Sequence, residues 1–176
     1  KLKRELSNLG LLKKGSGEKF IPFRYKTTSR WQRLELLAGL IDTDGSLSRG
    51  CYDYISKSEQ LADDVVFLCR SLGLAAYKKR TIKSCQNNFT GTYYRVSISG
   101  NTHIVPCRIG RKKASPRKQK KDVLVTGFSV QRTDDDYYYG FTIDGNGRYL
   151  MGDFTLTHNS GKSILGMVSG NMYPRF

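Results

Sequence analysis

Hydrophobic positions change their spacing several times along this chain, and each change predicts a new element. Leu2, Leu6, Leu9 and Leu12 repeat with a helical period that ends near Gly10. The stretch KKGSGEKFIPFRYKTTS carries Gly, Pro and Ser and reads as a connection. From Arg30, RWQRLELLAGLI returns to the helical period, with Thr28 or Ser29 as N-cap and Gly45 as the stop. SLSRGCYDYISKS reads as extended. Ser56-Lys57-Ser58-Glu59 then fits a capping box that opens a helix through EQLADDVVFLCRSLGL, closed at Gly73. Two alternating runs follow. AAYKKRTIKS sets Tyr77, Lys79, Thr81 and Lys83 on one strand face. GTYYRVSIS sets Tyr93, Arg95, Ser97 and Ser99 on one face and Tyr94, Val96 and Ile98 on the other.

Beyond Gly100 the texture shifts. RIGRKKASPRKQKK holds eight Lys/Arg in fourteen residues. After it, β-branched and aromatic runs alternate with turn signals at Asp144-Gly145-Asn146-Gly147 and Gly152-Asp153. SGKSILGMVSGNMYPRF changes again. The expected organisation is therefore α+β over residues 1–121, in the order helix, strands, helix, strands; all-β over 122–159; and a short third segment, 160–176.

Charge adds a partner to this outline. Thirty Lys+Arg against fifteen Asp+Glu leave a net charge of +15, which points to a polyanionic partner. Eleven Tyr and eight Phe supply core material despite an apolar content of only 38%. Four dispersed cysteines and two histidines exclude a zinc cluster and fit reduced thiols in an intracellular chain, cytoplasmic or nuclear. No run of eighteen apolar residues and no signal-peptide pattern is present, so no membrane role is expected.

One helix carries the candidate chemistry. In LLAGLIDTDG, residues 36–45, the small Ala38 and Gly39 sit mid-helix, where Gly costs about 1 kcal/mol relative to Ala. A second backbone approaching closely would justify that cost. Asp42 and Asp44 fall at the helix C-terminus, where the macrodipole disfavours carboxylates and a cation such as Mg²⁺ would favour them. The same two acids would also serve as turn residues before Gly45, and the pattern leaves both uses open.

LAGLIDTDG resembles the signature of the LAGLIDADG homing endonucleases at eight of nine positions, with Thr43 in place of alanine. KFIPFRYKTTSRWQRLELLAGLIDTDG is similar to the lead-in of intein-borne members, and the resemblance covers about residues 1–121. It implies that two such helices pack through their Ala/Gly surfaces, each delivering one acid to Mg²⁺ ions at the scissile phosphates. Asp44 corresponds to that acid. It also implies a saddle of strands that binds double-stranded DNA, with Tyr77, Lys79, Arg80, Lys83, Tyr93, Arg95, Lys112 and Arg117 as candidate contacts. The strand face that meets DNA stays open. The family's assisting lysine corresponds to Lys113 in GRKKASP, with Lys79 as second choice. One motif alone implies a partner: a second chain, or, as the favoured expectation, a repeat upstream of Lys1. A degenerate domain that binds DNA without cutting is the alternative.

The segment YYYGFTIDGNGRYLMGDFTLTHNS resembles the end of an intein, the C-terminal part of a Hint-type splicing domain. The chemistry suits the residue types. The Asn159 amide can attack its own backbone carbonyl to give a succinimide, His158 can polarise that bond and protonate the leaving amine, and Ser160 can accept the upstream segment as an ester. A histidine common in related inteins after the DGN turn is replaced here by Gly147-Arg148, leaving Arg148 or Asp136 as candidate helpers. The initial splicing nucleophile is not identifiable, so full splicing is expected only with a missing N-terminal intein portion. Gly161-Lys162-Ser163 has Leu156, not Gly, five residues before Gly161, so a phosphate loop is incomplete within the chain. Splicing would restore it, which makes the expected host a P-loop NTPase.

Overall fold

The computed structural model describes residues 1–84, 90–119, 122–125, 127, 129–132, 134, 137 and 141–158. Cys85, Lys121, Asp136, Asn159, Ser160 and residues 161–176 lie outside the described residues. The chain divides into two compact units, Lys1–Val123 and Leu124–Phe176.

In the first unit, short helices α1 (Leu2–Asn8) and α2 (Phe23–Lys26) precede the long helix α3 (Arg30–Asp44). Ser29 caps α3 by accepting from Gln32 N–H, and Gly45 ends it by donating its N–H to Ile41 O. The strands β1 (Gly45–Ser48) and β2 (Cys51–Ser56) form a hairpin. Its two-residue turn places Arg49 at φ 50° and Gly50 at φ 73°, the primed geometry that matches strand twist. Helix α4 (Glu59–Ser71) follows, then β3 (Ala75–Ser84) and β4 (Thr90–Ser99).

The capping box predicted at Ser56 does not form. Ser58 is the N-cap of α4, accepting from Leu61 N–H, while Ser56 Oγ accepts from Ser58 N–H. The helix needs its cap in extended backbone immediately before Glu59, and Ser56 still belongs to β2. The far end matches expectation: Gly73 at φ 79° lets Leu74 N–H reach Cys69 O and its own N–H reach Arg70 O.

The four strands make one antiparallel sheet in the order β1-β2-β4-β3. Tyr54, Val96 and Lys78 are cross-strand neighbours, as are Tyr52, Ile98 and Ala76. Tyr52, Tyr54, Val96, Ile98 and Ala76 pack against Leu37 and Ile41 of α3 and Val65 and Leu68 of α4 in one hydrophobic core. The opposite face of the sheet is left uncovered by these helices, so the unit has two layers. After β4, one 3₁₀ turn (Thr102–Ile104) precedes the basic tract and a second (Gly110–Lys112) lies within it.

In the second unit, the described regular structure is one hairpin, β5 (Arg148–Leu150) with β6 (Leu156–His158). Among the described residues of 122–147 there is no further strand, so the extended all-β segment expected there is represented by this hairpin alone.

Candidate nucleic-acid interface

Strand alternation decides which side chains share the open face of the sheet. Tyr77, Lys79 and Lys83 of β3 stand in register with Ser97, Arg95 and Gly91 of β4, and Tyr93 with Thr81. Each of these positions is out of phase with the buried Val96 and Ile98, so they occupy the outer face. Five of the expected contacts, Tyr77, Lys79, Lys83, Tyr93 and Arg95, are thus brought together.

Arg80 is not among them. It pairs with Tyr94 and lies on the face that packs α4, exposed, with its guanidinium donating to Thr92 Oγ1 at 3.4 Å. One residue of phase separates Arg80 from Lys79, and the strand period of two sends it to the opposite side. Lys78 shares that side and bonds Glu59 and Asp63 at 2.9 and 2.6 Å. Its ammonium pKa is raised: burial acts to lower it, and the two carboxylates together outweigh that effect. Glu59 is lowered in turn, chiefly by its hydrogen bond from Lys78.

The outer face also carries residues that the alternation of β3 and β4 alone did not supply. Ser46 and Asp53 continue the row of Ser97 and Tyr77, and Ser97 Oγ donates to Asp53 Oδ1 at 2.8 Å. Arg95 Nε stands 3.7 Å from the same oxygen. Arg49 is exposed at the tip of the β1–β2 turn, where the SRG triplet was the available signal. Arg117 folds over that turn. Its Cδ would lie 2.7 Å from a Cβ on Gly50, and its guanidinium meets Cys51 Sγ at 3.3 Å.

The acidic end of α3 resolves into two different carboxylates. Asp42 accepts from the backbone N–H of Arg108 at 2.8 Å and of Ile109 at 3.3 Å, which makes it a structural acceptor. Asp44 is exposed, with no hydrogen bond to its carboxylate among the described residues. Its charge is felt by buried Tyr54, whose phenol is pushed up to about 12, first by burial and then by Asp44. Gly45 is required here: a Cβ on it would sit 2.8 Å from Ile41 Cα. Among the described residues, no three His, Cys, Asp or Glu side chains are grouped to hold a metal ion.

The backbone carbonyls at this helix end meet a cation of the protein's own. Lys112, expected among the DNA contacts, is buried at 3% exposure. Its Nζ donates to Ile41 O and Asp42 O at 2.8 Å and to Thr43 O at 3.3 Å. An ammonium engaged by three carbonyls of a helix terminus is not available to a phosphate, so this expectation is corrected. Lys113 follows the same 3₁₀ turn, exposed, and no hydrogen bond from its side chain is found among the described residues.

Helix α3 has a core side and an exposed side. Leu34, Leu37, Ala38 and Ile41 face the core. On the other side Gly39 is exposed, and a Cβ there would meet nothing within 4 Å, so the close backbone expected at this glycine is not supplied by this unit among the described residues. Trp31 is 64% exposed, and with Tyr25, Thr28, Gln32, Glu35 and Leu36 it lines a shallow cleft of about 250 Å³.

In the second unit, His158 ends β6 opposite Arg148. Gly147, at φ 67°, leaves room for its ring: a Cβ there would lie 3.0 Å from His158 Cε1 and 3.2 Å from Nε2. Gly147 therefore abuts the imidazole of His158. None of the described helices of the chain is long and apolar enough to cross a membrane.

Residues 31–105 match the family model of a LAGLIDADG-like domain. The chain is also 42% identical over 99 residues to a Mycobacterium intracellulare protein named replicative DNA helicase DnaB. That similarity takes in 56% of this chain and spans only 16% of the relative's length. The acidic helix end and the sheet with its open cationic face thus lie within the residues that match the LAGLIDADG-like domain model.

Proposed function

We propose that this chain is the C-terminal part of an intein that carries a homing endonuclease, and that it hydrolyses phosphodiester bonds of double-stranded DNA at Asp44. The observation that carries this reading is the division of labour at the end of α3. Asp42 is occupied by backbone N–H groups, while Asp44 is exposed and unbonded immediately before β1. A carboxylate held at a helix C-terminus with no partner of its own among the described residues is suited to a cation. Lys79, Lys83 and Arg95 on the outer sheet face neutralise phosphates, and Lys113 stands ready beside the helix end as the assisting base or charge. The exposed Gly39 side of α3 receives the equivalent helix of a second repeat.

Mg²⁺ fits this donor set, since it commonly uses one or two carboxylates and leaves its other positions to phosphate oxygens and water. Asp44 would hold it together with an acid from the paired repeat. When bound, the ion stabilises developing charge on the phosphate and acidifies the attacking water.

The second activity is peptide-bond cleavage at the C-terminal end of the splicing element. The Asn159 side-chain nitrogen attacks the Asn159 carbonyl carbon, the bond to Ser160 breaks, and His158 protonates the departing amine. Ser160 carries the upstream segment as an ester before that step. The host is proposed to be a replicative DNA helicase, in keeping with the named relative. Ser160-Gly161-Lys162-Ser163 would contribute to the host's phosphate loop.

Two experiments test the proposal. A supercoiled plasmid carrying the uninterrupted helicase coding sequence is incubated with Mg²⁺ and the chain joined to the second repeat that supplies the other acid. Asp44→Asn should remove cleavage by at least about 10²-fold while leaving DNA affinity within about twofold. Equal loss of binding and cleavage would assign Asp44 a structural role. For splicing, Asn159→Ala should abolish release of Ser160–Phe176 followed by mass spectrometry; undiminished release refutes the cyclisation.

A further inference from the structure

We propose that Lys112 is a positioning residue of the DNA-cutting centre: an internal ammonium that fixes the end of α3 from which Asp44 projects. The inference rests on the endonuclease reading above and assigns one of its working parts. The basic tract of residues 108–121 reads as uniform, but among its described residues Lys112 alone is a buried charge. Burying an ammonium is costly unless every proton finds an acceptor. Lys112 meets that demand with three backbone carbonyls and no carboxylate, so the helix end itself balances the charge.

The attachment runs in both directions. The loop before Lys112 gives the N–H groups of Arg108 and Ile109 to the Asp42 carboxylate, and Lys112 gives its ammonium to the carbonyls of residues 41–43. Lys112 is held in turn. Tyr52, 1% exposed in the middle of the core, donates its hydroxyl to Lys112 O at 2.8 Å. The same hydroxyl lies 3.6 Å from Cys107 Sγ, and burial pushes the phenol's pKa well above its ordinary value. A continuous path therefore joins the core, through Tyr52 and Lys112, to the last turn of α3.

Asp44 needs such a path because its carboxylate has no hydrogen bond to anchor it among the described residues. The last four carbonyls of a helix lack intrahelical partners, and the last turn frays when they are left to water. A shift of about 1 Å in a catalytic group costs about 10²-fold in rate. Lys112 supplies what Asp44 lacks, and its exposed neighbour Lys113 is left for the phosphate. The adjacent lysines divide one task between them.

The test uses the chain joined to its second repeat, Mg²⁺ and the plasmid described above, with cleavage followed in single turnover and DNA affinity measured without divalent ion. Lys112→Met should slow cleavage about 10²-fold with affinity changed less than twofold, and Lys112→Arg should recover at least about tenfold of that loss. Asp44→Asn is run beside them. If Asp44→Asn is inactive while Lys112→Met cuts at the wild-type rate, or loses binding and cleavage equally, the positioning role is overturned. If the wild type does not cut, or Asp44→Asn cuts normally, the endonuclease reading fails and takes this inference with it. Should Lys112→Met fail to fold by circular dichroism, Tyr52→Phe decides: a folded variant slowed about tenfold supports the role, and one at the wild-type rate overturns it.

Discussion

Asp64 offers the sharpest test of how the first unit is held together. Its side chain is 2% exposed, yet it carries a charge. Three donors converge on it: Ile21 N–H at 2.7 Å, the Lys26 ammonium, and Gln60 Nε2 at 3.1 Å. This single carboxylate ties the segment before α3 to the face of α4. Asp64→Ala would leave Lys26, only 13% exposed, as an unpaired cation between the rings of Phe23 and Phe67, 5.8 and 5.3 Å away. Removing one partner of a buried pair costs about 3–5 kcal/mol, and the stranded Ile21 N–H belongs within that cost. Urea unfolding followed by fluorescence is selective here, because Trp31 is the chain's one tryptophan and lies in α3 of this unit. With a slope of about 1.5 kcal/mol per molar urea, the midpoint should fall by about 2 M or more. The double variant Asp64→Leu/Lys26→Met should be less destabilised than Asp64→Ala, since it buries no lone charge and leaves mainly one unpaired N–H. A midpoint shift below about 0.5 M for Asp64→Ala would refute the reasoning.

Three further outcomes are expected. Asp53 puts a negative charge on the outer face, so Asp53→Asn should tighten binding to arbitrary duplex DNA several-fold in fluorescence anisotropy; weaker or unchanged binding would mean that another surface meets DNA. Tyr54 has a folded pKa of about 12 against about 10 unfolded. Its contribution to stability is therefore intact below pH ~10 and is lost as pH rises towards 12. Asp44→Asn, which removes a nearby negative charge, should lower that pKa in an NMR titration of the tyrosine ring carbons. Gly147→Ala forces a Cβ to 3.0 Å from the His158 ring at a φ of 67°, and should slow release of Ser160–Phe176 about tenfold by mass spectrometry.

Much of the first unit was legible because its signals are local. The period change at Arg30, the caps at Ser29 and Gly73, and the alternation through β3 and β4 all depend on neighbours in sequence. The one cap that was misplaced, at Ser56, shows the limit: two serines two residues apart offer the same chemistry, and the length of β2 decided between them. Arg80 follows the same logic. Its charge suggested DNA, but strand phase placed it beside α4. The second unit was harder to read at this level, since short polar and aromatic runs give strands only through partners distant in sequence.

By itself, the sequence determined the LAGLIDTDG helix, its acids, the phase of the outer strand faces and the large positive charge. Those properties are fixed by residue type and spacing along one element. Tertiary structure alone decided what each charge does. Asp42 became an acceptor for Arg108 and Ile109, Asp44 remained exposed, and two adjacent lysines parted, one into the helix end and one into solvent. The physical reason is that a charge acquires its role from the groups within about 4 Å of it, and for Lys112 those groups lie some seventy residues away in the chain.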